Sequence, residues 1–294
     1  MQQDDRSDRL AQHRLGETAD MSETTTVLAF GRNHSIKDEI RAYWSKRSET
    51  FDLSVAHKIR SSGELEAWRS LVQAHAPDIA GGRVLELASG TGEFTRVLLA
   101  LGCRVDGIDL SEDMVARAQA KHRGQPARFL LGDAENTMMP DDSYDAVVSR
   151  HLVWTLVDPD AAFRDWLRCL KPGGTLIIAD GDWVTRSWRS KVLGSFGALW
   201  DRLSPKPKLF DADAHASIAA QLFFSEGLRA GRLKEMLAAA GFTAIRAGGL
   251  GAVPRSQLRD ATWRERLGLF ANYDNGFVVS ARKPSARGLA DSVR

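Results

Sequence analysis

Apolar positions in this chain recur with two periods, and the order in which the periods alternate predicts the architecture. From Ser35 the apolar residues Ile36, Ile40, Tyr43, Trp44 and Phe51 fall near one helical face, behind a Ser35 and Asp38 pair that resembles a capping box. A second helix is predicted over residues 62–76, carrying Leu65, Trp68, Leu71 and Val72. These helices form either a packing layer or a lid over a ligand end. Packing is the simpler account of Leu65 and Trp68, whereas Tyr43, Trp44 and Arg47 suit both.

The period then shortens. Residues 84–87, 103–109, 127–131, 144–149 and 175–179 read as buried strands, each followed by a turn. Between them, Phe94, Val97, Leu98 and Leu101 recur at helical spacing, Ser111 caps a helix with Glu112 and Asp113 in its first turn, and Asp158-Pro159 opens another. Gly102 stops the first of these helices, and Lys171-Pro-Gly-Gly174 turns the chain into the fifth strand. Strands alternating with helices at such short separations specify a parallel, doubly wound α/β sheet.

Residues 183–225 break that rhythm. Trp183, Trp188, Phe196, Leu199 and Trp200 form an amphipathic stretch with Arg186, Arg189 and Lys191 among them, followed by the loop-like Ser204-Pro205-Lys206-Pro207-Lys208. An insertion here lies near the carboxyl ends of the strands, so it is either ordinary core or a substrate lid of about 183–225. Regularity returns with a helix over 227–240 and strands at 243–246 and 276–281. Residues 1–34 and 284–294 are polar and are predicted to be disordered tails around one domain of 35–283.

Composition narrows the class. With 40 basic and 38 acidic residues in 294, the net charge is +2, and charge supplies no reason for a nucleic-acid partner. No apolar run approaches the roughly 20 residues of a membrane span. Cys103 and Cys169 are the only cysteines, which suits a reducing compartment, and the expected location is the cytoplasm. No metal site is predicted.

The chemistry gathers on Glu86-Leu87-Ala88-Ser89-Gly90-Thr91-Gly92. Gly90 and Gly92 stand where strand passes to helix and where a nucleotide-like ligand approaches the backbone without meeting a Cβ. Glu86 in the first strand, Asp109 ending the second and Asp133 ending the third would line one crevice above that turn. Asp109 follows Gly92 by a little under the roughly 20 residues at which an acid reaches a ribose diol. Each acid taken singly serves equally well as a helix cap.

The run from Glu86 to Gly92, with Ile108-Asp109-Leu110-Ser111, Gly132-Asp133-Ala134, Tyr144-Asp145-Ala146-Val147-Val148 and Leu170-Lys171-Pro172-Gly173-Gly174, resembles the class I S-adenosylmethionine-dependent methyltransferases of the small-molecule branch. The resemblance covers residues 37–283. It implies a Rossmann-like seven-stranded sheet with an antiparallel last strand. It also implies that Ala88, Ser89, Gly90 and Gly92 pass the methionine part of the cofactor, with Glu86 beneath. Asp109 would take both ribose hydroxyls, Leu110 and Met114 would flank the adenine, and Asp133 with the Ala134 amide would hold its edge. Ser149 and Trp44 complete the expected cofactor set. Where this chain has Ala88 the family usually has glycine.

Methyl transfer from a sulfonium needs alignment, desolvation and, for a protonated acceptor, a base. His151 follows the fourth strand and is the candidate base, with Arg150 assisting. Alternatively, His151 only bonds its own loop and Arg150 only pairs with a local carboxylate. Asp180 and Asp182 are weaker candidates for the base. The acceptor is expected to be a small organic molecule methylated at O, N or C, and the enzyme a monomer or a homodimer. A nicotinamide dehydrogenase is the nearest rival, but Thr95 stands where its third glycine would be. A cofactor-binding regulator without chemistry is the non-enzymatic alternative.

Overall fold

Alternation along the central strand β1 (Arg83–Leu87) sends Leu85 and Leu87 to one face and Val84 and Glu86 to the other. The computed structural model describes residues 21–54, 57–182, 184, 211–271 and 275–285. Among them, β1 joins β2 (Arg104–Asp109), β3 (Ala127–Leu131), β4 (Tyr144–Arg150), β5 (Leu170–Gly181), β6 (Thr243–Gly249) and β7 (Gly276–Arg282) in a seven-stranded sheet. The spatial order is β3-β2-β1-β4-β5-β7-β6. Strands β1 to β5 pair in parallel, and β7 is antiparallel to both β5 and β6, as the family resemblance implies.

Helices numbered here through the described residues are α1 (Met21–Phe51), α2 (Ser62–His75), α3 (Thr95–Ala100), α4 (Glu112–Lys121), α5 (Pro159–Cys169), α6 (Ala212–Ala219), α7 (Ala230–Ala239), α8 (Val253–Asp260) and α9 (Trp263–Ala271). On one face of the sheet, Leu85, Leu87, Val147 and Ile178 pack with Phe163 and Trp166 of α5 and Leu233 of α7. On the other, Val84, Val148 and Ile177 pack with Trp68 of α2 and Val97 and Leu98 of α3. Glu86, Asp109 and Arg150 belong to this second side, so burying them there requires polar partners.

Three differences from the sequence expectations have physical causes. Helix α1 begins at Met21, so Ser35 lies inside it instead of capping it, and residues 21–34 are helical where the pattern predicts a tail. Those positions offer no apolar stripe, but a helix once nucleated by the packed turns at Ile36 and Ile40 extends at little cost. Helices α8 and α9 fall where the pattern shows no element. Of α8 only Val253 is buried, and α9 exposes Trp263 and Phe270, so neither writes a clear periodicity. Polar contacts hold them to α2 and the segment before it instead: Gln257 donates to Glu64 at 2.9 Å and Arg60 pairs with Glu265 at 3.0 Å.

The Lys171-Pro-Gly-Gly174 turn is a bulge within β5, where pairing with β4 jumps from Tyr144 opposite Leu170 to Ala146 opposite Thr175. The aromatics expected in the inserted lid, Trp183, Trp188, Phe196 and Trp200, lie outside the described residues, as do residues 1–20 and 286–294 of the expected tails.

Candidate active site

After Leu87 the chain makes a turn of left-handed residues: Ala88 at φ +48°, Gly90 at +54° and Gly92 at +77°. An alanine in this region carries strain of about 1 kcal/mol that glycine would not. The turn is tied to β2. Ser89 N–H donates to the Ile108 carbonyl at 2.9 Å, and Gly90 N–H donates to Asp109 Oδ2 at 2.8 Å. The other Asp109 oxygen accepts from Ser111 N–H at 2.9 Å. Burial pushes the Asp109 carboxyl up to about 6 against the pull of these amides.

Glu86 accepts from Thr95 Oγ1 at 2.5 Å, and burial pushes it up to about 7, opposed by Thr95 and by the Arg150 charge. The hydroxyl at the place where a dehydrogenase would carry its third glycine is therefore used to hold Glu86. Gly92 needs its missing side chain for a different reason from the one expected. A Cβ there would lie 2.7 Å from the His122 ring, whose Nε2 is 2.8 Å from the Gly92 carbonyl oxygen. Gly92 makes room for His122, which caps the C-terminal end of α4, and does not line the cavity.

A cavity of about 440 Å³ opens above the turn at the carboxyl ends of β1, β2 and β4. Glu86, Ala88, Ser89 and Gly90 form its floor, and Asp109, Leu110 and Met114 its wall. Asp133 and Ala134 lie at one end, and Trp44, Arg150 and His151 also line it. Ser149 does not. It points with Val147 into the opposite side of the sheet, fully buried, so alternation along β4 removes it from the expected cofactor set.

Helix α1 lies across this cavity with its C-terminal half, which is anchored at its middle and just beyond its end, so Tyr43, Trp44 and Arg47 line it. At its middle Lys37 bridges Asp133 at 2.7 Å and Glu135 at 2.6 Å. Beyond its end, Asp52 accepts from Thr91 Oγ1 at 2.5 Å and pairs with Lys121 at 2.8 Å. Ile59 N–H donates to Glu93, which also holds Lys121 at 2.6 Å.

The far end of the cavity is aromatic and imidazole-rich. His151 sits at φ +60°, its amide donating to the Ala179 carbonyl at 2.9 Å, and its ring lies 5.9 Å from that of His57. His215 of α6 stands 5.0 Å from Trp154 and 5.9 Å from Tyr43. Arg150 turns the other way. Its Nη2 donates to the His57 carbonyl at 2.6 Å, and its guanidinium lies 5.6 Å from the centre of the Trp68 ring and 5.5 Å from that of Phe94.

Asp180 accepts from Val153 and Gly181 amides, both at 2.8 Å, which makes it an anchor of the loop after His151. Asp182 packs against Gly227. Lys37, His57, Trp154 and His215 are cavity residues that the sequence pattern does not single out, because a loop histidine and a helix lysine carry no periodic signal.

A parallel sheet whose order reverses between β1 and β4, a glycine turn tied to an acid closing β2, and an antiparallel β7 define a class I methyltransferase. Residues 85–178 match the methyltransferase domain family, and the chain belongs to it. It is 30% identical to the demethylmenaquinone methyltransferase of Paenarthrobacter aurescens over 237 residues, which cover 76% of this chain and 87% of that one. It is 29% identical to the ubiquinone/menaquinone biosynthesis C-methyltransferase of Pseudomonas putida, over 64% of this chain and 75% of that one.

In fold it is similar to phosphoethanolamine N-methyltransferase 2 of Haemonchus contortus, solved in complex with S-adenosyl-L-methionine. The TM-score is 0.51 at 20% identity, over 74% of this chain and 52% of that one.

The cofactor is S-adenosylmethionine, and the cavity fits it. The buried Asp109 and the half-buried Asp133 offer acceptors where a nucleoside presents hydroxyl and amine donors. Leu110 and Met114 give apolar contact, and the buried Ser89 Oγ has no hydrogen-bond partner among the described residues. The enzyme is a methyltransferase acting on a small organic molecule. Among the described residues no helix is long and apolar enough to cross a membrane, and no group of His, Cys, Asp and Glu is arranged to hold a metal ion.

Proposed function

We propose that this enzyme methylates a hydroxylated aromatic ring of the kind a reduced quinone presents, at a ring carbon or a hydroxyl oxygen. The observation that carries this reading is the wall of Tyr43, Trp154, His151 and His215 at the end of the cavity away from Asp133. Aromatic faces hold a planar ring by stacking, and imidazoles address its oxygens. The names of the two bacterial relatives support the same class.

In this reading Asp109 takes the ribose hydroxyls, and Asp133 and the Ala134 amide take the adenine edge between Leu110 and Met114. Ala88, Ser89 and Gly90 let the backbone pass the methionine part above Glu86, and Trp44 closes the cleft from α1. S-adenosylmethionine supplies, when bound, a methyl group already activated on a sulfonium. What remains for the chain is to align the acceptor, exclude water and move one proton. His151 would take the proton of the acceptor hydroxyl, and the electron pair freed on oxygen, or on the carbon ortho to it, would receive the methyl group as its bond to sulfur breaks. A methylated carbon would then give up its ring proton while the oxygen regains one, so that one proton is released in either case. Arg150 assists by fixing the turn that carries His57. The balanced charge supports a small acceptor over nucleic acid, and the two buried, unpaired cysteines support a cytoplasmic location.

The test is incubation with methyl-labelled cofactor and naphthohydroquinone or catechol under anaerobic conditions, with products read by mass spectrometry. Methylated ring products are expected. Absence of transfer to either, by enzyme that binds S-adenosylhomocysteine, would overturn the acceptor class.

A further inference from the structure

His57 lies in the turn between α1 and α2, lines the cavity and has no part in the proton transfer described above. Its ring is stacked on Phe51, with centroids 4.1 Å apart and planes 8° from parallel. Arg150 donates to its carbonyl oxygen at 2.6 Å, so backbone and ring are both held. Nδ1 is buried and has no hydrogen-bond partner among the described residues. Nε2 is not sealed in, which leaves it as the nitrogen the ring offers to the cavity, the Phe51 backbone being the ring's other polar neighbour. His151 stands edge-on to this ring, 5.9 Å away between centroids.

The groups facing His57 decide what it can do. Burial first, then the charges of His151, Arg150 and Arg47, hold its pKa well below the ordinary histidine value, against a weaker pull from the Phe51 backbone. Near neutral pH the ring is uncharged. It accepts a hydrogen bond readily and keeps a proton poorly, so it complements His151 instead of duplicating it.

We propose that His57 is a positioning and specificity residue: its Nε2 accepts a hydrogen bond from a second hydroxyl of the aromatic acceptor, the first hydroxyl being addressed by His151. The site then selects dihydroxylated rings over rings in which one of the two oxygens is already capped. This assignment rests on the acceptor class proposed above.

The test compares naphthohydroquinone with its monomethyl ether, each titrated anaerobically into enzyme saturated with S-adenosylhomocysteine. Wild type is compared with His57→Phe, which keeps the stack on Phe51 and removes the nitrogen, and His57→Gln, whose amide reaches the place of Nε2. Wild type should bind the diol about five- to tenfold tighter than the ether, the worth of one neutral hydrogen bond. His57→Phe should lose that preference and raise KM with kcat within about threefold, His57→Gln should keep most of it, and S-adenosylhomocysteine affinity should be unchanged in both.

A preference that survives in His57→Phe overturns the assignment and leaves the acceptor class standing. Equal loss of S-adenosylhomocysteine affinity in both variants overturns it in favour of a structural role. Failure of wild type to bind either probe overturns the acceptor class and this assignment with it.

Discussion

Lys37 of α1 places its ammonium 2.7 Å from Asp133 at the end of β3, tying the first helix to the sheet across the mouth of the cavity. Both side chains are partly exposed, so the pair contributes under about 1 kcal/mol to folding. Its larger effect is on access, because the same helix carries Tyr43 and Trp44 along the cavity. Lys37→Met is expected to speed S-adenosylhomocysteine dissociation and weaken its binding a few-fold, while Tm falls by no more than about 3 °C. Stopped-flow tryptophan fluorescence checks the first and a thermal melt the second.

Glu86 and Asp109 make stability fall with rising pH and, in the proposed reading, make cofactor binding rise. Both are acids whose folded pKa values, about 7 and about 6, stand above the ordinary 4.5 and 3.8. The folded state therefore holds more protons than the unfolded chain between about pH 4 and 7, and their contribution makes the ligand-free protein less stable as pH rises through that window. Hydroxyl donors prefer the ionised Asp109, so S-adenosylhomocysteine affinity should rise from pH 5.5 to 7.5 over the window in which Tm of the free enzyme falls. Asp109→Ala should lower affinity at pH 7.5 by more than about tenfold and flatten its rise near pH 6. Calorimetric titrations across pH measure both.

Ala88 occupies a left-handed position at φ +48° in the turn that lines the cavity. Ala88→Gly relieves the strain and gives up some unfolded-state restriction, for a net stabilisation of up to about 1 kcal/mol. Denaturant unfolding should show a higher midpoint at unchanged m, with S-adenosylhomocysteine affinity within about threefold of wild type.

His151 also holds positive φ, at +60°, a conformation that asparagine tolerates better than most residues. His151→Asn thus removes the imidazole with the least disturbance of the loop. The expected result is a fall in kcat of about 10² to 10⁴ with S-adenosylhomocysteine affinity unchanged, and loss of the pH-rate limb that reports the base. Single-turnover kinetics across pH decide it. A kcat within a few-fold of wild type would sink the assignment of His151.

Much of the sheet was legible because its signals are local. Runs such as Val84 to Leu87 and Val105 to Ile108 must be buried, glycines must close the turns, and Ser111 and Asp158 cap helices where they stand. The acids were legible for the same reason, since a parallel sheet brings the ends of β1, β2 and β3 together whatever else surrounds them. Gly92 and Ser149 were misread because sequence gives a residue's place on a strand or turn but not its neighbour across the fold. His122 claims the space beside Gly92, and pleating turns Ser149 away.

The chain by itself thus determined the order of strands and helices, the glycine turn and the family, all of which rest on contacts between residues near in sequence or on a fixed topology. Only the tertiary structure decided which histidines share the cavity. His57, His151 and His215 come from the turn after α1, the end of β4 and α6, and no periodicity links them. That they share one cavity follows from α1 lying across the sheet, held by Lys37 at its middle and by Asp52 just beyond its end. Such long-range ion pairs and ring contacts depend on packing that closes after the local elements have formed.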